Sequence, residues 1–440
     1  DSPFIPTGYR NQALLLAELL AAENHEVFWI APSHHGMPIK NAVLPDGRKC
    51  SFTVLHGGRH PHAIDVLPQH LEMVKPDIFF VLLDSFMMGE RKPECPITIF
   101  DISLPVKSTF WFPSDGGNFP RHCELVLKKF DYPVAMSKWA RDQVKTQFGI
   151  DASYIPHGID LKLFRAVSPE KKKELRVKYS QKLQRNFVNK FVVGVVARNQ
   201  PRKFMDRLIK SFALFSKGKE DVLLLLHADP NDPAQMTDLV ELARRHDCVH
   251  KIDWTGMNAL VGFPDDKMYE VYNLFDVKLD TTSGEGFGIT IVESMACEVP
   301  VLITDYTTTK ELVGDHNAGL PIALLGEQSF DASPESVQYP SYSYKLRDGS
   351  IKIGSYRPLH NGLAEKEITN QFVGGYMTER GCCDIIHAAL QLEDCYGDWK
   401  KGSVWLKEMG KNGRKAVEEE YDFSNKVWPL WKAHFARMLS

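Results

Sequence analysis

"TTSGEGFGITIVESMACEVPV", residues 281–301, sets Glu285 and Glu293 eight positions apart around a glycine-rich turn that opens an apolar stretch. The preceding "DVKLD" (276–280) reads as a strand, so the whole segment reads as strand, turn and helix. The first amide N–H groups of a helix have no internal partner and the helix dipole is positive there, so bare backbone at such a start can hold an anion or polar oxygens. Gly286 and Gly288 keep that approach open. Glu285 stands at the mouth of the turn, and Glu293 about two turns further along the same helical face. A carboxylate only accepts hydrogen bonds, and its two oxygens match the spacing of two neighbouring hydroxyls, so each glutamate suits a vicinal diol. Two diols flanking a phosphate describe a nucleotide sugar. The plain alternative is that Glu285 caps the helix and Glu293 is an exposed helical charge.

A second strand, loop and helix, "GVVARNQPRKFMDRLIKSFALF" (194–215), places Arg198 at a strand end and Lys203 five residues on. Two cations converging there would neutralise a diphosphate without a metal and stabilise it as a leaving group. Arg202 and Lys210 read as solvated.

The surrounding pattern is that of α/β layers. Short β-branched runs at 25–31, 50–57, 77–83, 96–103, 133–137 and 153–158, then at 191–198, 222–228, 251–256, 276–282 and 300–305, alternate with helical stretches. At 440 residues the chain exceeds the roughly 250–300 at which one core stops growing. A lysine- and arginine-rich stretch, 165–190, reads as a solvated helix at the junction, so domains are expected at 1–165 and 186–423. The N-terminus enters a helix near Asn11 without a strand before it, and the expectation is a strand upstream of Asp1. Gly8 then falls in a strand-to-helix turn, either close to a ligand or simply turning the chain.

Charge and cysteine usage exclude several classes. A net charge of −3 gives no footprint of a nucleic-acid binder. Eight scattered cysteines without a CxxC pair fit neither a disulfide framework nor a zinc site. No apolar run approaches a membrane span, so a cytoplasmic protein, at most peripheral to a membrane, is expected. No GxGxxG with a following acidic residue supports an oxidoreductase.

Arg198 and Lys203, together with "EGFGITIVESMACEVPVLITD", resemble the donor-binding half of the retaining nucleotide-sugar glycosyltransferases of family 4, glycosyl transferases group 1. "VAMSKWARDQVKTQFGIDASYIPHGIDLKLF" (134–164) and the final "GRKAVEEEYDFSNKVWPLWKAHF" (413–435) fit as well, leaving about 320–380 as an unmatched insertion. The resemblance implies the GT-B architecture, two Rossmann-like doubly wound domains facing across a cleft. It implies that the segment 424–440, with Trp428, Trp431 and Phe435, packs back on the N-terminal domain. By the resemblance, Arg198 and Lys203 bind the donor diphosphate, Glu285 contacts the transferred sugar and Glu293 holds the ribose. Backbone at Gly286, Phe287, Gly288 and Ile289 faces sugar and phosphates, and Gly8 lies near acceptor and phosphate. The implied reaction is metal-independent, retaining transfer of a hexosyl unit from a nucleoside diphosphate sugar to a glycan, lipid-linked or small-molecule hydroxyl, with no cofactor. The alternatives are an inactive GT-B module that binds sugar nucleotides or partners, and a nucleotide-sugar epimerase.

Two departures stand out. Glu298 occupies the position where the family usually has glycine, and reads as a solvated loop charge. No histidine matches the one the family often places near the reacting carbon; "FWFPSDGGNFPRH" (110–122) offers Asp115, or else His122, and Asp115 could equally form an Asx turn. The loops after "VLLLLHADPND" and "KIDWTGMN" are the expected base-recognition elements.

Overall fold

The computed structural model describes residues 1–440 apart from 6, 46, 90, 92–94, 120, 233–234, 236, 260, 332–340, 347–350 and 356–379. The chain divides into two compact units, one of Asp1–Ser114, Phe119–Ile159 and Tyr421–Ser440, the other of Asp115–Asn118 and Asp160–Glu420.

In the first unit, β1 (Phe28–Ala31), β2 (Ile39–Lys40) and β3 (Thr53–His56) form one sheet in the order β1-β3-β2. A second, all-parallel sheet runs β4 (Ile78–Leu82), β5 (Lys107–Phe112), β6 (Tyr132–Ala135) and β7 (Ser153–Tyr154) in sequence order. The expected strand at 96–103 is instead a 3-10 turn, Ile99–Asp101. Asp101 Oδ2 accepts from the Thr98 N–H and hydroxyl, both at 2.9 Å, and these local bonds replace a sheet ladder. The C-terminal helix Trp428–Leu439 belongs to this unit. Its Trp431 is fully buried, edge-on to Trp111 and Phe80 at ring separations of 4.9 and 5.3 Å.

In the second unit β8 (Phe191–Val196), β9 (Val222–His227), β10 (Ile252–Trp254), β11 (Val277–Asp280), β12 (Val301–Thr304) and β13 (Gly319–Ile322) form a parallel sheet ordered β10-β9-β8-β11-β12-β13. Every residue of β8 and β9 is buried, which is why both read as unbroken apolar runs rather than alternating ones. The helix Met205–Ser216 covers one face with Met205, Leu208, Ile209, Phe212 and Phe215. The strand order reverses between β8 and β11, and ligands of doubly wound sheets bind outside the carboxyl ends at that point.

The basic stretch forms a helix that is mostly exposed but buries one side. Its helix, Pro169–Leu183, buries Leu175, Arg176 and Tyr179 and belongs to the second unit. Arg176 and Lys172 pair with Asp276 at 2.7 and 3.0 Å, and Lys178 with Glu270 at 2.7 Å. Within the insertion, β14 (Leu324–Asp331), β15 (Ser341–Leu346), β16 (Ile351–Ser355) and β17 (Arg380–Cys383) form an antiparallel sheet ordered β16-β15-β14-β17. The rest of 320–380 lies outside the described residues. All eight cysteines are free and buried. Among the described residues no helix is long and apolar enough to cross a membrane.

Candidate active site

The segments leaving β8 and β11 meet beyond the carboxyl edge of the second sheet. Thr281 Oγ1 donates to the Phe204 carbonyl at 3.0 Å and the Ser283 N–H to the Arg202 carbonyl at 2.7 Å, which locks the two loops together. Gly288, the N-cap of the helix Ile289–Ala296, has φ +103, a conformation L side chains rarely adopt. A Cβ at Gly284 would stand 2.0 Å from the Asp115 carbonyl oxygen, so the backbone of Asp115 lies directly against this turn. Thr307 fixes the turn from the other side, its hydroxyl bonding both the N–H and the carbonyl of Glu285 at 3.0 Å.

This packing joins Lys203 to Glu285. Lys203 Nζ donates to Glu285 Oε1, and Arg202 Nη1 reaches the same oxygen at 3.2 Å. Both Lys203 and Glu285 are buried. Burial alone would raise the Glu285 carboxyl, but the charges of Lys203 and Arg202 hold it well below the usual carboxylate range. Arg202 is therefore a half-buried member of the site rather than a solvated charge.

Arg198 makes an ion pair of its own. Its Nε and Nη2 donate to the two oxygens of Asp232 at 2.9 and 2.8 Å, and Asp232 is fully buried. Nη1 has no hydrogen-bond partner among the described residues. The loop after β9, expected to read a base, thus supplies the carboxylate that orients Arg198. The same loop is tied to the one after β10, where Asp229 Oδ2 accepts from the Ala259 N–H at 2.8 Å.

Glu293 lies inside the helix Ile289–Ala296, buried, and accepts from the Tyr272 hydroxyl at 2.6 Å. Burial pushes its pKa up to about 7, against the opposing effect of the Tyr272 bond. It is thus not an exposed helical charge. Phe287 is buried, while Gly286 and Ile289 are half-buried on the same turn.

Asp115 falls within the second unit, with Oδ2 3.0 Å from Arg380 Nη1 and 3.7 Å from Arg202 Nε. His122 lies in the helix Arg121–Lys129 of the first unit. Gly8 is the exposed first residue of the helix Gly8–Ala22, also in the first unit, and not part of a preceding turn. Glu298 takes φ +57, where a non-glycine residue costs on the order of 1 kcal/mol. The Gly410 Cα meets its carbonyl so closely that a Cβ would stand 2.2 Å away.

Asp232, Tyr272 and Arg380 were not singled out from the sequence. Each reaches the site through a contact with a residue at least 21 positions away, and no local pattern announces it.

The chain, with its doubly wound second sheet, is similar in fold to solved glycosyltransferases of the GT-B architecture. Residues 178–324 match the family model of glycosyl transferases group 1. A capsular polysaccharide biosynthesis glycosyltransferase, CapM, of Staphylococcus aureus is 26% identical over 56% of this chain and 56% of its own. The putative glycosyltransferase EpsD of Bacillus subtilis is 28% identical over 43% of this chain and 46% of its own. The match thus spans about half the length of these two relatives. A phosphatidyl-myo-inositol mannosyltransferase of Mycobacterium leprae is 23% identical over 72% of this chain and 79% of its own. The fold is similar to that of Anabaena HepE, solved with UDP and glucose, with a TM-score of 0.66, 14% identity and coverage of 99% and 98% of the two chains. Sucrose-phosphate synthase from Thermosynechococcus elongatus gives 0.64 at 14% identity over 98% and 94%.

Proposed function

We propose that the chain transfers a hexosyl unit from a nucleoside diphosphate sugar to a hydroxyl acceptor, with retention and without a metal, in the cytoplasm. The observation that carries this reading is the buried Lys203–Glu285 pair at the strand-order reversal, with Glu293 two turns into the adjoining helix. The donor diphosphate lies between Lys203 and Arg198, which neutralise the charge that develops as the glycosidic bond breaks. Glu285, relieved of Lys203, accepts from the sugar hydroxyls, and Glu293 takes the ribose diol. Attack comes from the face of the leaving group, and the departing phosphate helps remove the acceptor proton. No second carboxylate of the glycosidase kind is then required. The complex of HepE with UDP and glucose, and the capsular polysaccharide biosynthesis and phosphatidyl-myo-inositol mannosyltransferase names of two relatives, support a nucleotide-sugar donor and a glycan or lipid-linked acceptor.

The test is NMR of the first sugar released from UDP-glucose, GDP-mannose, UDP-N-acetylglucosamine and ADP-glucose in the presence of EDTA. Turnover of one donor to the sugar with the donor's own anomeric configuration is expected. The opposite anomer would overturn retention, and turnover only after metal is restored would overturn the metal-free mechanism.

A further inference from the structure

A cavity of about 430 Å³ lies within the second unit, at the end of the sheet opposite the Glu285 turn. Asn189, Asp276 and Pro300, which stand just ahead of β8, β11 and β12, line it, whereas the Glu285 turn follows the carboxyl end of β11. The charged part of the lining is Lys172, Lys173, Arg176 and Lys407 against Asp276 and Glu298, an excess of two positive charges.

Asp276 is already engaged. Its carboxylate accepts from Lys172, Arg176 and the Val192 N–H at 3.0, 2.7 and 2.9 Å. Lys173 and Lys407 make no ion pair among the described residues, and Lys407 donates to the Gly402 carbonyl at 3.1 Å. Burial lowers the pKa of the Lys172 ammonium, and the charges of Arg176 and Lys407 lower it further against the pull of Asp276. The cations thus repel one another around the cavity, and an anion placed there relieves them.

Glu298 adds an independent observation. It lines the same cavity, is exposed, and its carboxylate has no partner among the described residues. It takes φ +57 just after the helix Ile289–Ala296, and strained backbone of this kind clusters at functional sites. A carboxylate beside a phosphate seat repels a bare anion but accepts from hydroxyl groups.

We propose that this cavity binds a phosphate monoester whose organic part carries hydroxyls, with Lys172, Lys173 and Lys407 on the phosphate and Glu298 on the hydroxyls. Such a monoester carries about −1.5 to −2 charges at neutral pH, which matches the excess in the lining. A free sugar phosphate and the phosphorylated headgroup of a lipid present this same chemistry. The site is separate from the Glu285 turn and does not rest on the nucleotide-sugar reading.

The experiment is calorimetric titration of the full chain with glucose 6-phosphate and with inorganic phosphate. Sedimentation with phosphatidylcholine vesicles, with and without phosphatidylinositol 4-phosphate, runs beside it. The unmodified protein is compared with the double variant Lys173→Ala, Lys407→Ala, with Glu298→Gln and with Lys203→Ala. Both lysines of the double variant are exposed, so the core is untouched. The double variant is expected to weaken the ester by about tenfold or more. Glu298→Gln is expected to weaken glucose 6-phosphate several-fold while inorganic phosphate binds as before or more tightly. Lys203→Ala, in the Glu285 site, is expected to change neither. Binding of glucose 6-phosphate identifies a free ester as the ligand; binding to the phosphoinositide vesicles alone, lost in the double variant, identifies a lipid headgroup. The proposal is overturned if neither binds, if binding ignores the two lysines, or if Glu298→Gln weakens ester and inorganic phosphate equally. Loss in Lys203→Ala also overturns it, because the ester then occupies the Glu285 site.

Discussion

The Tyr272 hydroxyl donates to Glu293 Oε2 at 2.6 Å, so the glutamate assigned to the ribose already carries one donor from the protein. Burial raises the Glu293 carboxyl to about 7, which places its ionisation within the working range. The ionised form alone accepts from two hydroxyls, so donor affinity should rise as pH increases through about 7. Between pH 6 and 8 the expected gain is roughly tenfold, since about nine-tenths of the carboxyl is protonated at the lower pH. Titration of Glu293→Gln across this range should give a flat profile. Tyr272→Phe removes a bond that favours the charged form, so its profile should move to higher pH.

Asp232 should matter for binding although it lies behind Arg198. Asp232→Asn keeps the shape of the loop but loosens a bidentate grip that fixes the Arg198 guanidinium. Diphosphate affinity should fall about three- to tenfold, less than in Arg198→Ala. Equal affinity in Asp232→Asn and the unmodified protein would show that Arg198 needs no such orientation.

Gly284→Ala should disturb the site without touching a charged group. Its Cβ would collide with the Asp115 carbonyl, the acceptor of an Arg380 bond, so backbone must move. A loss of about 1–3 kcal/mol in urea unfolding is expected, with weaker donor binding. Stability equal to that of the unmodified protein would contradict the packing of the Asp115 backbone on this turn.

The C-terminal helix should be a structural part of the first unit. Trp431 is fully buried among Trp111, Phe80 and His434, and Trp431→Ala should cost about 3–5 kcal/mol. Trp431→Phe should cost distinctly less. Thermal melts of the two variants check the order.

The sequence already showed the strand, turn and helix around Glu285 and Glu293, because a glycine-rich turn between two apolar periods is a local signal. Partners across the fold left no such signal. Arg202 looks like any loop arginine until Glu285, 83 positions away, is folded against it. Arg198 reads as free for phosphate because Asp232, its partner, ends a separate segment after β9. "KSTFWF" (107–112) is missing from the strands read from the sequence because β5 is buried from its second residue onward and shows no alternation. Conversely, 96–103 has strand composition, and only the Thr98–Asp101 bonds decide against a strand.

The central claim is that the turn carrying Glu285, together with Lys203, binds a nucleotide sugar. Calorimetric titration with the four donors, without added metal, on the unmodified protein, Lys203→Ala and Glu293→Ala tests it most directly. Selective binding of one donor, weakened by each substitution by more than about 1.4 kcal/mol, a factor of ten, is the predicted result. Absence of binding by every donor, or an affinity that ignores both substitutions, would contradict it.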